Sequence, residues 1–303
     1  MSINTHLGQK SEYKSLYDAS LLVKELRQSN RDYLNIKGDD LPFIGYDTWN
    51  GYEVTALTDD GLPVSGVVKI VYNCNSDYIV ESKSLKLYFN SFSMTKMGKH
   101  AESVLENIEK SAVKDLSALL NTKVNVRAFL NTEMLEASRE YSALEEWHEI
   151  YGMDEIITIE EEYPVEGVQF TAYNEDPTLL RVLDAEVDSV RYHSSLLRSR
   201  CKVTAQPDSG DVYIYIKGPK TVDPISLLQY IVSFRDECHF HEEICEAIYK
   251  RLWDLLEPED LCVKCLYARR GGWDINPERA SDKVLLHVSL SDVDMPHIKI
   301  PRQ

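Results

Sequence analysis

The sequence predicts an α+β fold with antiparallel sheets and helices on one face. Three observations carry this. Strand-like stretches come in pairs instead of alternating singly with helices, which argues against a doubly wound parallel sheet. A long amphipathic helix follows the first pair. The order strand, strand, helix, strand then recurs with a period near half the chain, which points to an internal duplication.

Residues 1–40 are polar and mixed and read as a peripheral N-terminal arm. Order is expected to begin at Leu41-Pro42-Phe43. Residues 66–72 are β-branched and read as a strand. Residues 78–90 alternate in part, with Leu85, Leu87 and Phe89 on one side, and read as its hairpin partner. A helix is expected over 99–120, its stripe made by Val104, Leu105, Ile108, Ala112, Leu116 and Leu119. Residues 124–129 read as a strand. The Glu-rich stretch 131–165, with Glu160-Glu161-Glu162, reads as a surface insertion whose charges are solvated.

In the second half, 196–205 and 212–217 read as strands around the turn signal Pro207-Asp208-Ser209-Gly210. Asp223-Pro224 suits a helix start, since Asp caps and Pro fits the first helical position. A second helix is expected over about 239–256. A strand over 261–268 closes the unit at Gly271-Gly272, and 284–290 reads as extended. The expected division is an arm (1–40), a first module (41–165) and a second module (166–303).

Composition narrows the function classes. The formal charge is −17, so the surface repels phosphate backbones and anionic lipid, and direct nucleic-acid binding is disfavoured. No apolar run approaches the ~20 residues of a membrane span, and the N-terminus lacks a basic start and apolar core. The six cysteines then suggest a reducing cytoplasm, with free thiols.

Four segments could carry chemistry. Cys201 lies between Arg200 and Lys202, and a neighbouring cation favours a thiolate. Asp208 follows in the turn. Residue chemistry alone favours the plainer reading, a buried thiol and a turn carboxylate. Cys238, His239, His241, Cys245, Cys262 and Cys265 invite a zinc reading. It is disfavoured because HEEIC lacks a second His, the run 262–267 packs well as plain core, and Cys262 and Cys265, three apart on a strand, face opposite ways. Arg269-Arg270-Gly271-Gly272 could approach a phosphate. Glu81 to Tyr88 puts charge next to a strongly apolar strand, as a polar site or an edge strand would.

Together these segments resemble a known family. ESKSLKLYFNSF (81–92), SLLRSRCKVTAQPDSG (195–210), YIVSFRDECHFHEE (230–243) and RRGGWDINP (269–277) are similar to motifs of the NADPH-dependent 7-cyano-7-deazaguanine reductases, nitrile reductases of queuosine biosynthesis. LYDASLL (16–22) and LPFIGYDTW (41–49) resemble the long, two-module form. The resemblance implies a tunnelling fold of two ββααββ modules, a homodimer, NADPH as cofactor and a small-molecule substrate. It implies Cys201 as the nucleophile that forms a thioimide with the nitrile, and Asp208 as the proton donor, its pKa raised by burial. Val80, Glu81, Ser82, His241 and Glu242 would contact the base and Phe240 would stack on it. Ser82, Lys83, Arg270 and Gly271 would serve the cofactor, and no metal is expected. Ser209 departs from the large aromatic expected there. Two alternatives stand beside this reading: a zinc-dependent cyclohydrolase-like enzyme and a catalytically silent deazapurine-binding protein.

Overall fold

The computed structural model describes residues 13–38, 40–131, 133, 156–183, 187–202, 204–295 and 303. Seven long strands form one antiparallel sheet. They are β1 (Ile44–Thr58), β2 (Pro63–Asn73), β3 (Val124–Leu130), β4 (Val187–Cys201), β5 (Pro207–Gly218), β6 (Asp260–Tyr267) and β7 (Trp273–Ala280). Their order across the sheet is β4, β5, β6, β7, β1, β2, β3. The β7–β1 pairing runs from Trp273↔Gly51 to Ala280↔Ile44, so the two halves of the chain share one continuous sheet.

Four helices cover one face: α1 (Ser82–Ser91), α2 (Ala101–Leu120), α3 (Pro224–Ser233) and α4 (His241–Leu256). α1 and α2 bury Leu85, Phe92, Val104, Ile108 and Leu116 against β1 to β3. α3 and α4 bury Leu227, Ile231, Ile248 and Leu252 against β4 to β6. The opposite face carries a smaller cluster, Tyr213, Tyr215, Cys262, Leu266, Leu285 and Leu290, in which the C-terminal segment packs on the sheet. Among the described residues no helix is long and apolar enough to cross a membrane.

The local chemistry recurs between the halves. β1 and β4 each span 15 residues. Glu81 caps α1 by accepting from Lys83 N and Ser84 N, and Asp223 caps α3 by accepting from Ser226 N. Ser84 Oγ and Ser226 Oγ each donate back to the cap carbonyl, at 2.7 and 2.8 Å. Each also accepts from a preceding segment, from Val23 N and Arg181 N at 3.0 Å. Ser91 and Ser233 close the two helices in the same way, accepting from Asp18 N and Asp176 N.

Several expectations change. Residues 78–90 are not one strand. Only Tyr78–Val80 is extended, and α1 starts at Ser82. Leu85, Leu87 and Phe89 fit a period of two, but Leu85, Tyr88, Phe89 and Phe92 fit a helical stripe, and the Glu81 cap decides between them. The partners of β2 are therefore β1 and β3. Residues 284–290 hold two short helical turns, Lys283–Leu285 and Val288–Ser291. In the opening segment Lys24–Leu26 pairs with Tyr78–Val80, and Arg27 and Arg31 are buried. Most of the acidic stretch lies outside the described residues. Its Ile159 is buried, and Glu160 accepts from Ser195 N and Oγ at 2.7 and 2.9 Å, so this part of the charge run is not simply solvated.

β1 and β7 meet closely at one position. A Cβ on Gly45 would stand 1.9 Å from the carbonyl oxygen of Glu278. Gly45→Ala is expected to lower stability by about 3 kcal/mol or more, because the backbone of a paired strand cannot retreat without losing its ladder. Thermal unfolding checks this, and an unchanged melting temperature would contradict the β7–β1 register.

Candidate active site

The C-terminal end of β4, the start of β5 and the start of α4 converge with α1 from the other half of the chain. Between them lies a pocket with about 630 Å³ of open space, lined among others by Cys201, Asp208, His241, Lys86, Arg270 and Trp273. Cys201 ends β4 and is half-buried. Its backbone is fixed by N–H donation to Gln206 O at 2.8 Å and by acceptance from Ala205 N at 2.9 Å. Asp208 is buried on β5 and pairs with Arg270 Nη1. His241 opens α4, its Nε2 3.9 Å from Asp208 Oδ1, and its ring meets Tyr267 edge-on at 4.0 Å between centroids.

The flanking cations of Cys201 are engaged elsewhere. Arg200 pairs with Asp236 at 2.7 Å and Lys202 with Glu243 at 2.7 Å. The cations that share the pocket with Cys201 are Lys83, Lys86 and Arg270, of which sequence reasoning missed Lys86. Read as a strand, 81–88 puts Ser82 and Lys83 on opposite faces. As a helix it sets Ser82, Lys83 and Lys86 on one face at spacings of one, three and four, so a correct helix assignment would have found it. Burial and Arg270 lower the Lys86 pKa, opposed by Asp208, Cys201 and Glu81.

Burial likewise pushes the His241 pKa down to about 4, with Asp208 opposing. His241 is therefore neutral at pH 7 and can exchange a proton without first losing one. A depressed histidine pKa contributes stability that is present above the ordinary value of 6.5 and is lost as pH falls towards about 4. The His241 ring is expected to titrate near pH 4 when followed by NMR. A midpoint near 6.5 would mean that it is not held in this dry setting.

A second pocket adjoins the first across Lys83, Lys86 and Trp273. It has about 740 Å³ of open space and reaches Gly271, Glu53 and Tyr13. Gly271 has φ +56°, where a side chain is disfavoured.

A profile described as "Nitrile reductase, 7-cyano-7-deazaguanine-reductase N-term" matches residues 13–128. A second, described as "QueF-like protein", matches residues 207–284. The NADPH-dependent 7-cyano-7-deazaguanine reductase of Colwellia psychrerythraea is 37% identical over 91% of this chain and 91% of its own. The chain belongs to this reductase family. The Legionella pneumophila reductase of the same name is 36% identical over 92% of this chain and 90% of its own. A crystal structure of an apo archaeosine synthase QueF-Like covers 33% of this chain and 91% of its own at 17% identity and a TM-score of 0.26, too distant to bear on the fold.

Of the residues the reductase resemblance singled out, Cys201, Asp208, His241, Ser82, Lys83 and Arg270 line the first pocket, and Gly271 lines the second. Glu81, Phe240 and Glu242 are buried just outside the lining, as is Val80 on the strand before α1. Glu81 turns both carboxylate oxygens onto its own helix, accepting from Lys83 N at 2.9 Å and Ser84 N at 2.7 Å. Glu242 Oε1 has no hydrogen-bond partner among the described residues. Burial and Asp47 raise the Glu242 pKa to about 8, opposed by Arg27 and Arg279. Phe240 sits beneath the Lys202 ammonium, 5.0 Å from the ring centre. Ser209 is half-buried on β5, and its carbonyl accepts from Ala268 N at 2.8 Å, a contact that does not depend on its side chain.

Arg270 was expected at the cofactor. Its two terminal nitrogens hold Asp208 and Gln206 Oε1, the latter at 2.6 Å. The ion pair ties the buried Asp208 to the strand end that carries Arg270.

Proposed function

We propose that this chain reduces the nitrile of 7-cyano-7-deazaguanine to the primary amine of 7-aminomethyl-7-deazaguanine, using two NADPH, in queuosine biosynthesis. The carrying observation is that Cys201, Asp208 and His241 come from separate elements and face one pocket.

A nitrile is a weak electrophile, and thiolate addition converts it to a thioimide whose carbon accepts hydride more readily. The S–C bond forms as the C≡N bond becomes C=N, and a proton goes to nitrogen; the S–C bond must break again, with the sulfur leaving as thiolate, before the free amine can form. Asp208 and the neutral His241, 3.9 Å apart, are placed to relay the proton released by the Cys201 thiol to that nitrogen. Lys86 brings positive charge into the pocket where Cys201 would attack. Glu242, and Glu81 after a turn of its side chain, accept N–H donors of the base. Desolvated acceptors of this kind reject bases that cannot donate.

NADPH, when bound, supplies the two hydrides. The adjoining pocket fits such a group: Lys83 and Lys86 present ammonium charge for phosphates, Trp273 offers an aromatic face, and Gly271 allows close backbone approach. The tunnelling fold, the two-module division and a cytoplasmic homodimer belong to the same proposal. Their support is the continuous antiparallel sheet with helices on one face, the recurrence of cap chemistry between halves and six free cysteines.

The reaction is tested by following NADPH oxidation together with amine formation. Two NADPH consumed per amine would support the proposal. Tight base binding without NADPH oxidation would favour a silent binding protein.

A further inference from the structure

Outside the pocket, one set of metal-binding donors is assembled on the opposite face of the sheet. The sequence reading separated Cys262 from Cys265 because strand neighbours three apart face opposite ways. Cys265 does lie in the helix-side core and Cys262 in the cluster under the C-terminal segment. There Cys262 meets Glu278 from β7 and His287 from the C-terminal segment. One donor atom from each lies within 4.8 Å of the other two.

We propose that Cys262, Glu278 and His287 form a structural site for a zinc-class divalent cation that fastens the C-terminal segment to the sheet. The donor set is thiolate, carboxylate and imidazole, the types such ions take. Cys262 Sγ lies 3.8 Å from Glu278 Oε1 and 3.6 Å from the Leu285 carbonyl, which could complete the shell. His287 turns Nδ1 to Glu278, and its backbone N–H donates to both Glu278 oxygens at 3.2 and 3.1 Å. All three side chains are fully buried. None takes part in the chemistry proposed above, and buried ionisable groups are costly unless paired or bound to metal. Tyr213, Tyr215, Leu266 and Leu290 provide an apolar wall. Binding would release the Cys262 proton to solvent. Lys264, the strand partner of Glu278, supplies the counter-charge that the ion-free arrangement would use.

The geometry also explains what an ion would add. The segment is already tied down by Lys69 Nζ, which donates to the carbonyls of Ser289, Asp292 and Met295 at 2.5 to 2.7 Å. Thr48 Oγ1 donates to Leu290 O at 2.7 Å. A cation would cross-link the segment's first turn to two strands at a point these contacts do not reach.

The test uses the full chain, independently of reductase activity. Zinc content is measured after dialysis, thermal unfolding is followed as zinc is added, and Co²⁺ replaces zinc as a spectroscopic probe. The expected results are about one ion per chain, a rise of about 5 °C on saturation and cobalt–thiolate absorption. That absorption is lost in Cys262→Ser and kept in Cys265→Ser. Absence of bound zinc together with an unshifted wild-type transition would overturn the proposal and leave an ion-free cluster balanced by Lys264. Cobalt–thiolate absorption surviving in Cys262→Ser would overturn it equally. The wild-type titration decides the matter even where a variant fails to fold.

Discussion

Cys201→Ala is expected to lower nitrile reduction on the order of 10³-fold or more while leaving base binding within about threefold. The Cys201 hydrogen bonds are backbone bonds, to Gln206 O and from Ala205 N, so alanine retains them. What is lost is the sulfur, and with it the bond that the proposed mechanism uses to turn a nitrile into a thioimide. On the proposed reading, base affinity rests on other residues, chiefly Glu242 and the groups on α1. NADPH consumption measures the first effect and calorimetry with the base measures the second. A residual rate within tenfold of wild type would show that the thiol is not the nucleophile.

The largest expected loss of stability comes from Arg279→Met. Arg279 is fully buried where the two halves of the sheet join. It contacts Asp47 Oδ1 and Glu246 Oε1, both at 2.9 Å. Arg31 also holds Glu246, at 2.8 Å, and Arg27 holds Asp47. Burial alone would raise both carboxyls, but the surrounding guanidiniums outweigh it and keep them below the ordinary range. Removing one guanidinium strands buried negative charge, which costs about 3–5 kcal/mol. Denaturant unfolding checks the value, and a loss under 1 kcal/mol would mean that the network relaxes without it. Glu246 lies one helical turn beyond Glu242 on α4, so the same network also orients the start of that helix. Arg27 and Arg31 come from the opening segment, which is therefore part of the site's foundation.

The parts of the fold that were legible in the sequence are those with one dominant pattern. Residues 99–120 show a clean apolar stripe, and Ala101–Leu120 is helical. Asp223-Pro224 announced its helix through local capping chemistry, and the helix begins at Pro224. β1 was hidden because its segment Asp47-Thr48-Trp49-Asn50 is buried on both faces and mostly polar. Its polar residues are satisfied by distant partners, such as Arg27 for Asp47 and Asp274 for Asn50. β7 was hidden for the same reason, since its Asp274, Asn276 and Glu278 are polar yet buried in the sheet. In the candidate site, Cys201, Asp208 and His241 stood out because they sit in distinctive local motifs, and the structure brings them to one pocket. Lys86 did not stand out, because it joins Lys83 on one face only if 81–88 coils.

The recurrence between the halves bears on stoichiometry. By position in the fold, Thr58 ends β1 where Cys201 ends β4, and Ala101 opens α2 where His241 opens α4. The first half keeps the caps and lacks the reacting groups, so one reacting centre per chain is expected.

Intact-protein mass spectrometry after incubation with 7-cyano-7-deazaguanine tests the central claim most directly. The account predicts one substrate-sized increment per chain on wild type, none on Cys201→Ala, and its disappearance with amine release when NADPH is added. Bound base with no covalent increment, or an increment that survives Cys201→Ala, would contradict it.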